Sequence, residues 1–272
     1  MRIQHNVMSM NAYRNYGNNT TSLSKNLEKL SSGYRINRAG DDAAGLAISE
    51  KMRSQLAGLK QAQRNVKDGI GLVQTAEGAL QEVTDMVNRM KTLATQAANG
   101  TYASADRKNL QAEVSALIAE IDRIASNANF NGIKLLDGSL SGTKGTLHIG
   151  DGKSEDLTVS IAKLNSTGVG VNGLTVASAA GAKTALTKIS TALGKIAAAR
   201  GSLGAIQNRL EHTQKNLGVM HENIQEAEST VRDTDIADEM SAYTKNNILI
   251  QSAQAMLAQA NQVPQGVLQL LQ

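Results

Sequence analysis

Cysteine and tryptophan are absent from this sequence of 272 residues, and phenylalanine and proline occur once each. Without cysteine the chain forms no disulfide and uses no thiol nucleophile. A compact core normally relies on large aromatic side chains. Their scarcity predicts helices that pack along extended interfaces through Leu, Ile, Val, Met and Ala, in an elongated molecule. Pro264 is the only proline, so long uninterrupted helices are permitted before it.

Charge is unevenly distributed. The 28 basic and 24 acidic residues are scattered without a basic block, and stacking aromatics are few, so nucleic-acid binding is not favoured. Arg2 is the only charge before Arg14, and residues 246–272 contain none. The N-terminus lacks the apolar run of a secretion signal. We therefore expect a protein that is either cytosolic or exported by a route that removes no signal peptide.

Both ends of the chain carry apolar residues spaced alternately by four and three, the pattern of helices that pack against other helices. We call this set the terminal seams; it consists of Ile3, Val7, Met10, Leu23, Leu27 and Leu30, and of Leu249, Ala253, Met256, Ala260, Val263, Val267 and Leu270. Asn and Gln amides interrupt the second run, so it is not a membrane span, which needs about 20 mostly apolar residues. We expect the seams to pair, parallel or antiparallel, and to leave apolar surface for neighbouring copies. An ordinary intramolecular helical hairpin is the alternative.

The middle of the chain predicts three long helices, over residues 43–99, from a capping Ser104 onward, and over 182–231. We expect Asn99 and Gly100 to end the first of them as a left-handed C-cap. Short alternating runs with turn signals predict a small β element at about 129–165. Residues 165–181, rich in Gly, Ser and Thr, predict an exposed connector that tolerates insertions. The fold class is mainly α, a long-helix bundle with a small β-hairpin element.

Sites for catalysis are not indicated. Residues 168–173 (GVGVNG) match a dinucleotide fingerprint, but they lie outside the strand-turn-helix setting that the motif requires. His221 and Glu222 begin a zinc-protease pattern that Gln225 breaks, because Gln225 stands where the second imidazole must be. The other histidines, His5, His148 and His212, suit a surface or an interface. We expect no enzymatic activity, no cofactor and no metal.

Several blocks together carry a family resemblance. Residues 30–50 (LSSGYRINRAGDDAAGLAISE), 74–80 (QTAEGAL) and 130–132 (FNG) resemble the N-terminal signature of bacterial flagellins. Residues 204–211 (GAIQNRLE), 232–240 (RDTDIADEM) and 254–261 (QAMLAQAN) resemble the C-terminal signature. The likeness covers roughly residues 1–138 and 185–272. The chain resembles a short flagellin without variable outer domains.

This resemblance implies two nested layers: coiled-coil terminal helices at 1–42 and 233–272, and an outer three-helix rod with its β element at 43–232. It implies a structural subunit that polymerises into the flagellar filament for swimming motility. The alternatives from other classes are a monomeric helical adhesin or receptor ligand, and an enzyme using the glycine-rich segment. The implied setting is secreted and extracellular, in the bacterial flagellum.

The implied partners are other copies of the chain, the flagellar type III export apparatus with a cytosolic chaperone, and the filament cap and hook-filament junction proteins. Toll-like receptor 5 is a further implied partner, through Arg89, Leu93 and Glu113 by resemblance. These three residues could equally serve rod packing and subunit contacts. In the same way, Arg35, Arg38, Asp41 and Asp42 could pair across subunits or simply cap local helix ends. No nucleic acid or membrane partner is expected.

Overall fold

A computed structural model describes residues 6–140 and 145–270 of the chain, with side chains as far as Val263. The helices are α1 (Val7–Ser32), α2 (Ala43–Ala98), α3 (Ser104–Asn127), α4 (Ser166–Val169), α5 (Ala179–Arg232) and α6 (Ile236–Leu270). The strands are β1 (Asn129–Phe130), β2 (Ile133–Lys134), β3 (Thr146–His148) and β4 (Asp156–Thr158). The predicted mainly helical fold class with small β elements is confirmed.

The chain forms two compact units. Unit 1 contains Met1–Leu56 and Asn223–Gln272, and unit 2 contains Ala57–Glu222. Two helices, α2 and α5, begin in one unit and end in the other. Unit 1 therefore combines both ends of the chain, whereas unit 2 contains α3, α4 and all four strands.

Unit 2 has a core of aliphatic side chains at helical spacing, as the periodicity predicts. The fully buried members include Val66, Val73, Leu80 and Val87 on α2, Val114 and Ile121 on α3, and Ile189, Ile196, Leu203 and Leu210 on α5. Burial of each such side chain contributes about 1.5–3 kcal/mol. The rows of Leu, Ile and Val therefore supply the packing that aromatics provide in other cores.

The two strand pairs are antiparallel hairpins. β1 and β2 pair around Asn131 and Gly132, which both take positive φ values of 50° and 81°. An Asn-Gly pair favours this tight turn because both residues tolerate the left-handed region. β3 and β4 pair with Leu147 opposite Leu157, and a Leu147 methyl packs directly over Gly69 of α2. The absence of a side chain on Gly69 lets this hairpin approach the helix.

Two predicted helix caps were wrong. The first residue of α3 is Ser104, and its first turn is held by the Asp106 carboxylate, which accepts the Ala103 backbone N–H at 3.2 Å. At the end of α2, the Arg107 guanidinium donates to the carbonyl oxygens of Ala97 and Asn99, both at 2.9 Å. A long side chain from the next helix thus satisfies the terminal carbonyls that the sequence assigned to a left-handed glycine.

The predicted exposed connector at 165–181 was also wrong. Its apolar side chains, Val169, Val171, Leu174 and Val176, are buried in unit 2. Polar groups of α3 hold its backbone: the Asp122 carboxylate accepts the N–H and the hydroxyl of Ser166, and the Gln111 amide bonds the carbonyl oxygen of Leu174 and the N–H of Val176. The sequence of residues 165–181 did not predict these contacts, because bonds from side chains of another helix leave no pattern in the segment that they hold.

Candidate assembly interface on the terminal helices

Helices α1 and α6 form the main pair of unit 1. The Asn6 side chain accepts the Ser9 backbone N–H and starts α1, and Gly33, at φ 76°, ends it with an N–H bond to the Lys29 carbonyl oxygen. The Asp235 carboxylate accepts backbone N–H groups at the start of α6. Short polar side chains before a helix and glycine after it are favoured for this reason.

Helices α1 and α6 run antiparallel, which decides between the two orientations that the sequence left open. Near the start of α1, Asn6 Nδ2 donates to the Ala260 carbonyl oxygen at 2.7 Å, and Ser9 Oγ donates to Asn261 Oδ1 at 3.0 Å. Near its end, Lys29 Nζ lies 3.5 Å from Glu239 Oε2. The start of α1 therefore meets the later turns of α6, and the end of α1 meets its first turns.

The small members of the terminal seams are buried and several large ones are exposed. Ala253 and Ala260 are 5% and 6% exposed. The exposed seam members are Val7, Met10, Leu27, Leu249, Met256 and Val263, whereas Leu23 and Leu30 are half-buried. Ile3 and the side chains of Val267 and Leu270 lie outside the described residues. Alanines thus pack the helices of one chain together, and the larger side chains remain on the surface.

Further exposed apolar residues lie outside the predicted seams. On α1 and α6 they are Met8, Tyr13, Ile236, Met240 and Ile248. A groove of about 380 Å³ on the α1–α6 pair is lined by both kinds of residue, including Met8, Ala253, Met256 and Val263. The predicted seams do not include this second set, because these residues lie off the 4-3 stripe of each helix. Their apolar character, next to each stripe, was the signal in the sequence.

An aromatic and charged cluster joins the helix ends of unit 1. The Arg232 guanidinium lies 4.9 Å from the ring centre of Tyr34, within cation–π range. Arg232 also donates to Glu50 Oε1 at 2.6 Å, and this bond holds the pKa of the Glu50 carboxyl below its usual value. Arg53 lies 3.6 Å from Glu228. Backbone pairing of Tyr34 with Asp233 completes the junction.

The charged residues of the signature block make contacts within this chain. The Asp41 carboxylate accepts the backbone N–H groups of Arg38 and Asn37, and the Arg38 bond chiefly lowers the pKa of Asp41. Asp42 accepts the N–H of Gly45, Arg38 pairs with Glu28 at 2.9 Å, and Arg35 donates to the Val231 carbonyl oxygen. Asp42 therefore caps the start of α2, whereas the bonds of Asp41 hold the turn that precedes it.

The three residues predicted to contact a receptor divide between surface and core. Arg89 and Glu113 form an exposed ion pair with Nε and Oε1 2.8 Å apart. Leu93 is only 2% exposed and belongs to the core of unit 2. Leu93 is therefore a packing residue in the single chain, and a receptor role for the three residues stays a prediction.

The histidine and glycine positions considered for catalysis make local hydrogen bonds within their own segments. His148 Nδ1 lies 2.8 Å from Asp156 across the β3–β4 hairpin. The glycine-rich segment contains the single turn α4, whose Gly168 N–H donates to the Asn165 side chain.

Within residues 6–140 and 145–270, no three His, Cys, Asp or Glu side chains are grouped as metal ligands. Over the same residues, no helix has the length and apolar character of a transmembrane segment.

Comparison with known proteins identifies the family. Residues 3–141 match the bacterial flagellin N-terminal helical region, and residues 186–271 match the C-terminal helical region. The chain belongs to the bacterial flagellins. It is similar to the flagellar filament 30.7 kDa core protein of Treponema maltophilum and to a flagellin of Halalkalibacterium halodurans, with 48% identity and full coverage of both chains in each case.

A solved structure supports the same assignment. This flagellin is similar to the Bacillus cereus flagellin structure, with a TM-score of 0.50 and 34% identity over 57% of this chain and 88% of that chain. The family assignment agrees with the collinear signature blocks at both ends. It also makes the exposed apolar surface of α1 and α6 the leading candidate for a functional site.

Proposed function

We propose that this flagellin is a structural subunit that polymerises into the bacterial flagellar filament, the helical propeller for swimming. The main support for this proposal is the set of large apolar side chains that are exposed on α1 and α6, among them Val7, Met10 and Met256. Contiguous exposed apolar surface marks a place where another molecule binds. Family membership favours other copies of the chain as that molecule over the alternative of a monomeric adhesin, and it favours a structural role over an enzymatic one.

Negative-stain electron microscopy of the purified full-length chain tests this proposal. Under salt conditions that promote assembly, we expect long filaments of uniform diameter. Persistent monomers under the same conditions would favour the monomeric adhesin or receptor ligand instead. Sedimentation of the same samples gives the fraction of assembled protein and separates filaments from irregular aggregates.

The arrangement in the filament is a further part of the proposal. The terminal segments 1–42 and 233–272 would form the inner layer, and residues 43–232 would form the wall. The support is that unit 1 combines both ends of the chain and has the α1–α6 pair with its exposed apolar side chains. Unit 2 has a continuous aliphatic core of its own.

We propose the export route and the other partners on the basis of family membership. The subunit would pass through the flagellar type III apparatus, with a cytosolic chaperone covering the C-terminal seam, and would act outside the cell. There it would contact the cap and hook-filament junction proteins. The exposed large apolar side chains of α1 and α6 support this route, because a pair held mainly by small alanines unfolds readily for passage.

We predict that the terminal helices are disordered in the monomer and ordered in the filament. The α1–α6 contact buries small alanines and leaves large apolar groups exposed, so it stabilises the pair weakly until neighbouring copies cover them. Hydrogen exchange should therefore be fast at both ends of the monomer and at least about a hundredfold slower in the filament. Amides of α2 around Val73–Val87 are the control and should be slow in both states. Equally slow exchange of the ends in both states would contradict the prediction.

We also propose that the exposed face with Arg89 and Glu113 binds Toll-like receptor 5 when the protein is monomeric. Arg89→Ala removes an exposed guanidinium of the kind that dominates many interfaces, so we expect at least about a tenfold loss of affinity. Surface plasmon resonance with the receptor ectodomain measures it. Stability should change little, because exposed ion pairs contribute at most about 1 kcal/mol.

A matched substitution controls the receptor measurement. Lys91 is exposed on the same helix, and Lys91→Ala removes a similar charge without breaking the pair between Arg89 and Glu113. We expect this variant to bind nearly as tightly as the parent. An Arg89→Ala protein with the affinity of the parent would reject the assignment of this face.

A further inference from the structure

Asn26 is a polar side chain buried between α1 and α6, with 9% of its surface exposed. A carboxamide offers two N–H donors and two acceptor positions, and the surrounding bonds set its orientation. Its Nδ2 group donates to Glu239 Oε1 at 2.9 Å and to the Ser22 carbonyl oxygen at 3.0 Å. Its Oδ1 atom accepts the Tyr243 backbone N–H at 3.3 Å and Asn246 Nδ2 at 3.0 Å. All four hydrogen-bonding positions are therefore filled.

Three of these four partners lie on α6, so the network depends on how far α6 is displaced along α1. Glu239 is tied in twice, because it also pairs with Lys29 at 3.5 Å while its side chain is only 13% exposed. The 4-3 spacing of the seams permits a slip of seven residues with little change in apolar contact. Such a slip would move Ile250 and Ala253 to the places of Tyr243 and Asn246 and leave the buried Asn26 amide without its partners on α6.

We propose that Asn26 selects the register in which α1 and α6 pair. A buried amide in a helix seam lowers stability relative to an apolar residue but penalises every register in which it is unsatisfied. The end contacts from Asn6 and Ser9 are exposed or half-buried and have little such effect. In the filament, this register fixes which apolar residues of the two helices face outward together. That consequence rests on the proposed function.

Disulfide formation can report the register because the chain contains no cysteine. Ser9→Cys with Asn261→Cys reports the observed register, since these side chains are in contact at 3.0 Å. Tyr16→Cys with Asn261→Cys reports this slip of seven residues, because Tyr16 lies about 10 Å further along α1 than Ser9. A disulfide requires Cα atoms within about 7 Å. Oxidation is performed on the full-length chain before and after assembly, and mass spectrometry identifies intrachain products.

We expect the parent sequence to give the product of the observed register in excess before assembly, when its terminal helices open often, and that product alone after assembly. Asn26→Leu keeps an apolar side chain of similar size, and the ratio of slipped to observed product should rise about tenfold, the effect of one unsatisfied buried group. Its thermal unfolding temperature should not fall. Glu239→Leu removes a partner from the opposite helix and should also raise the slipped product. Asn18→Leu makes the same chemical change at an exposed position of α1. Its ratio of slipped to observed product should equal that of the parent.

The proposal is overturned by slipped product that equals the observed product in the parent monomer or persists in the assembled parent, and by a rise of slipped product in Asn18→Leu. It is also overturned by an unchanged product ratio in both Asn26→Leu and Glu239→Leu, or by the absence of any cross-link in the parent before and after assembly. If Asn26→Leu alone gives neither product, Glu239→Leu decides. Loss of both products in both variants would show a role in pairing itself and would also contradict register selection. Microscopy of the parent tests filament formation separately, so a failure of the proposed function is distinguishable.

Discussion

Met256→Asp is expected to abolish filament assembly while unit 2 remains folded. Met256 is 63% exposed on α6 and lines the groove on the α1–α6 pair, so the single chain tolerates a carboxylate there. Packing against a neighbouring copy would desolvate that charge without a partner, at a cost of several kcal/mol for each subunit. Because the penalty repeats at every subunit, we expect no filaments by microscopy and no swimming.

A conservative change at the same position separates charge from packing. Met256→Leu keeps an apolar side chain of similar volume, which costs less than about 1.5 kcal/mol in a packed site. We expect filaments of normal length from this variant. Circular dichroism of both monomers should show unchanged unfolding of unit 2. Normal filaments from Met256→Asp would show that this face of α6 is open to solvent in the assembly.

A short Gly/Ser insertion after Gly170 is expected to unfold part of unit 2. Gly170 has a φ of 92°, and its N–H donates to the Ser166 carbonyl oxygen. An insertion there shifts Val171 and Leu174 out of their buried positions, and burial of two such side chains contributes about 3–6 kcal/mol. That is a large part of the net stability of a domain, about 5–15 kcal/mol. Urea unfolding of the monomer should show a markedly lower midpoint or no cooperative transition.

The same insertion after Gly152 is the matched control. Gly152 lies in the exposed turn that joins β3 to β4, and lengthening a surface loop costs little entropy. We expect the unfolding midpoint of this variant to stay close to that of the parent, and filaments to form. Equal midpoints for the two insertions would contradict the packing of residues 165–181 against α3.

Periodicity predicted the long helices because one buried face every 3.6 residues leaves a clear pattern. Val66, Val73 and Leu80 lie on one face of the helix predicted over residues 43–99 and are buried. The capping of α2 by Arg107 and the anchoring of Ser166 by Asp122 were not predicted. In each case a polar side chain reaches a backbone group on another segment, and such contacts have no fixed spacing along the chain.

The candidate site was predicted only as a set of apolar positions. Seam spacing includes Ala253 and Met256 equally, yet the first is buried within the pair and the second is exposed. Chain folding decides between them, because small residues let two helices approach closely while larger ones lie on the flanks of the contact. Leu93 shows the converse, since resemblance placed it on a surface and the turn of α2 places it in the core.

By itself, the sequence determined the family, the helical class and the apolar character of both chain ends, since each is expressed in local composition, spacing or motif. The tertiary structure decided the antiparallel pairing of α1 with α6, their register around Asn26 and the packing of residues 165–181. These features depend on contacts between residues far apart in the chain. Their energies come from desolvation and hydrogen-bond geometry, which exist only once the segments meet.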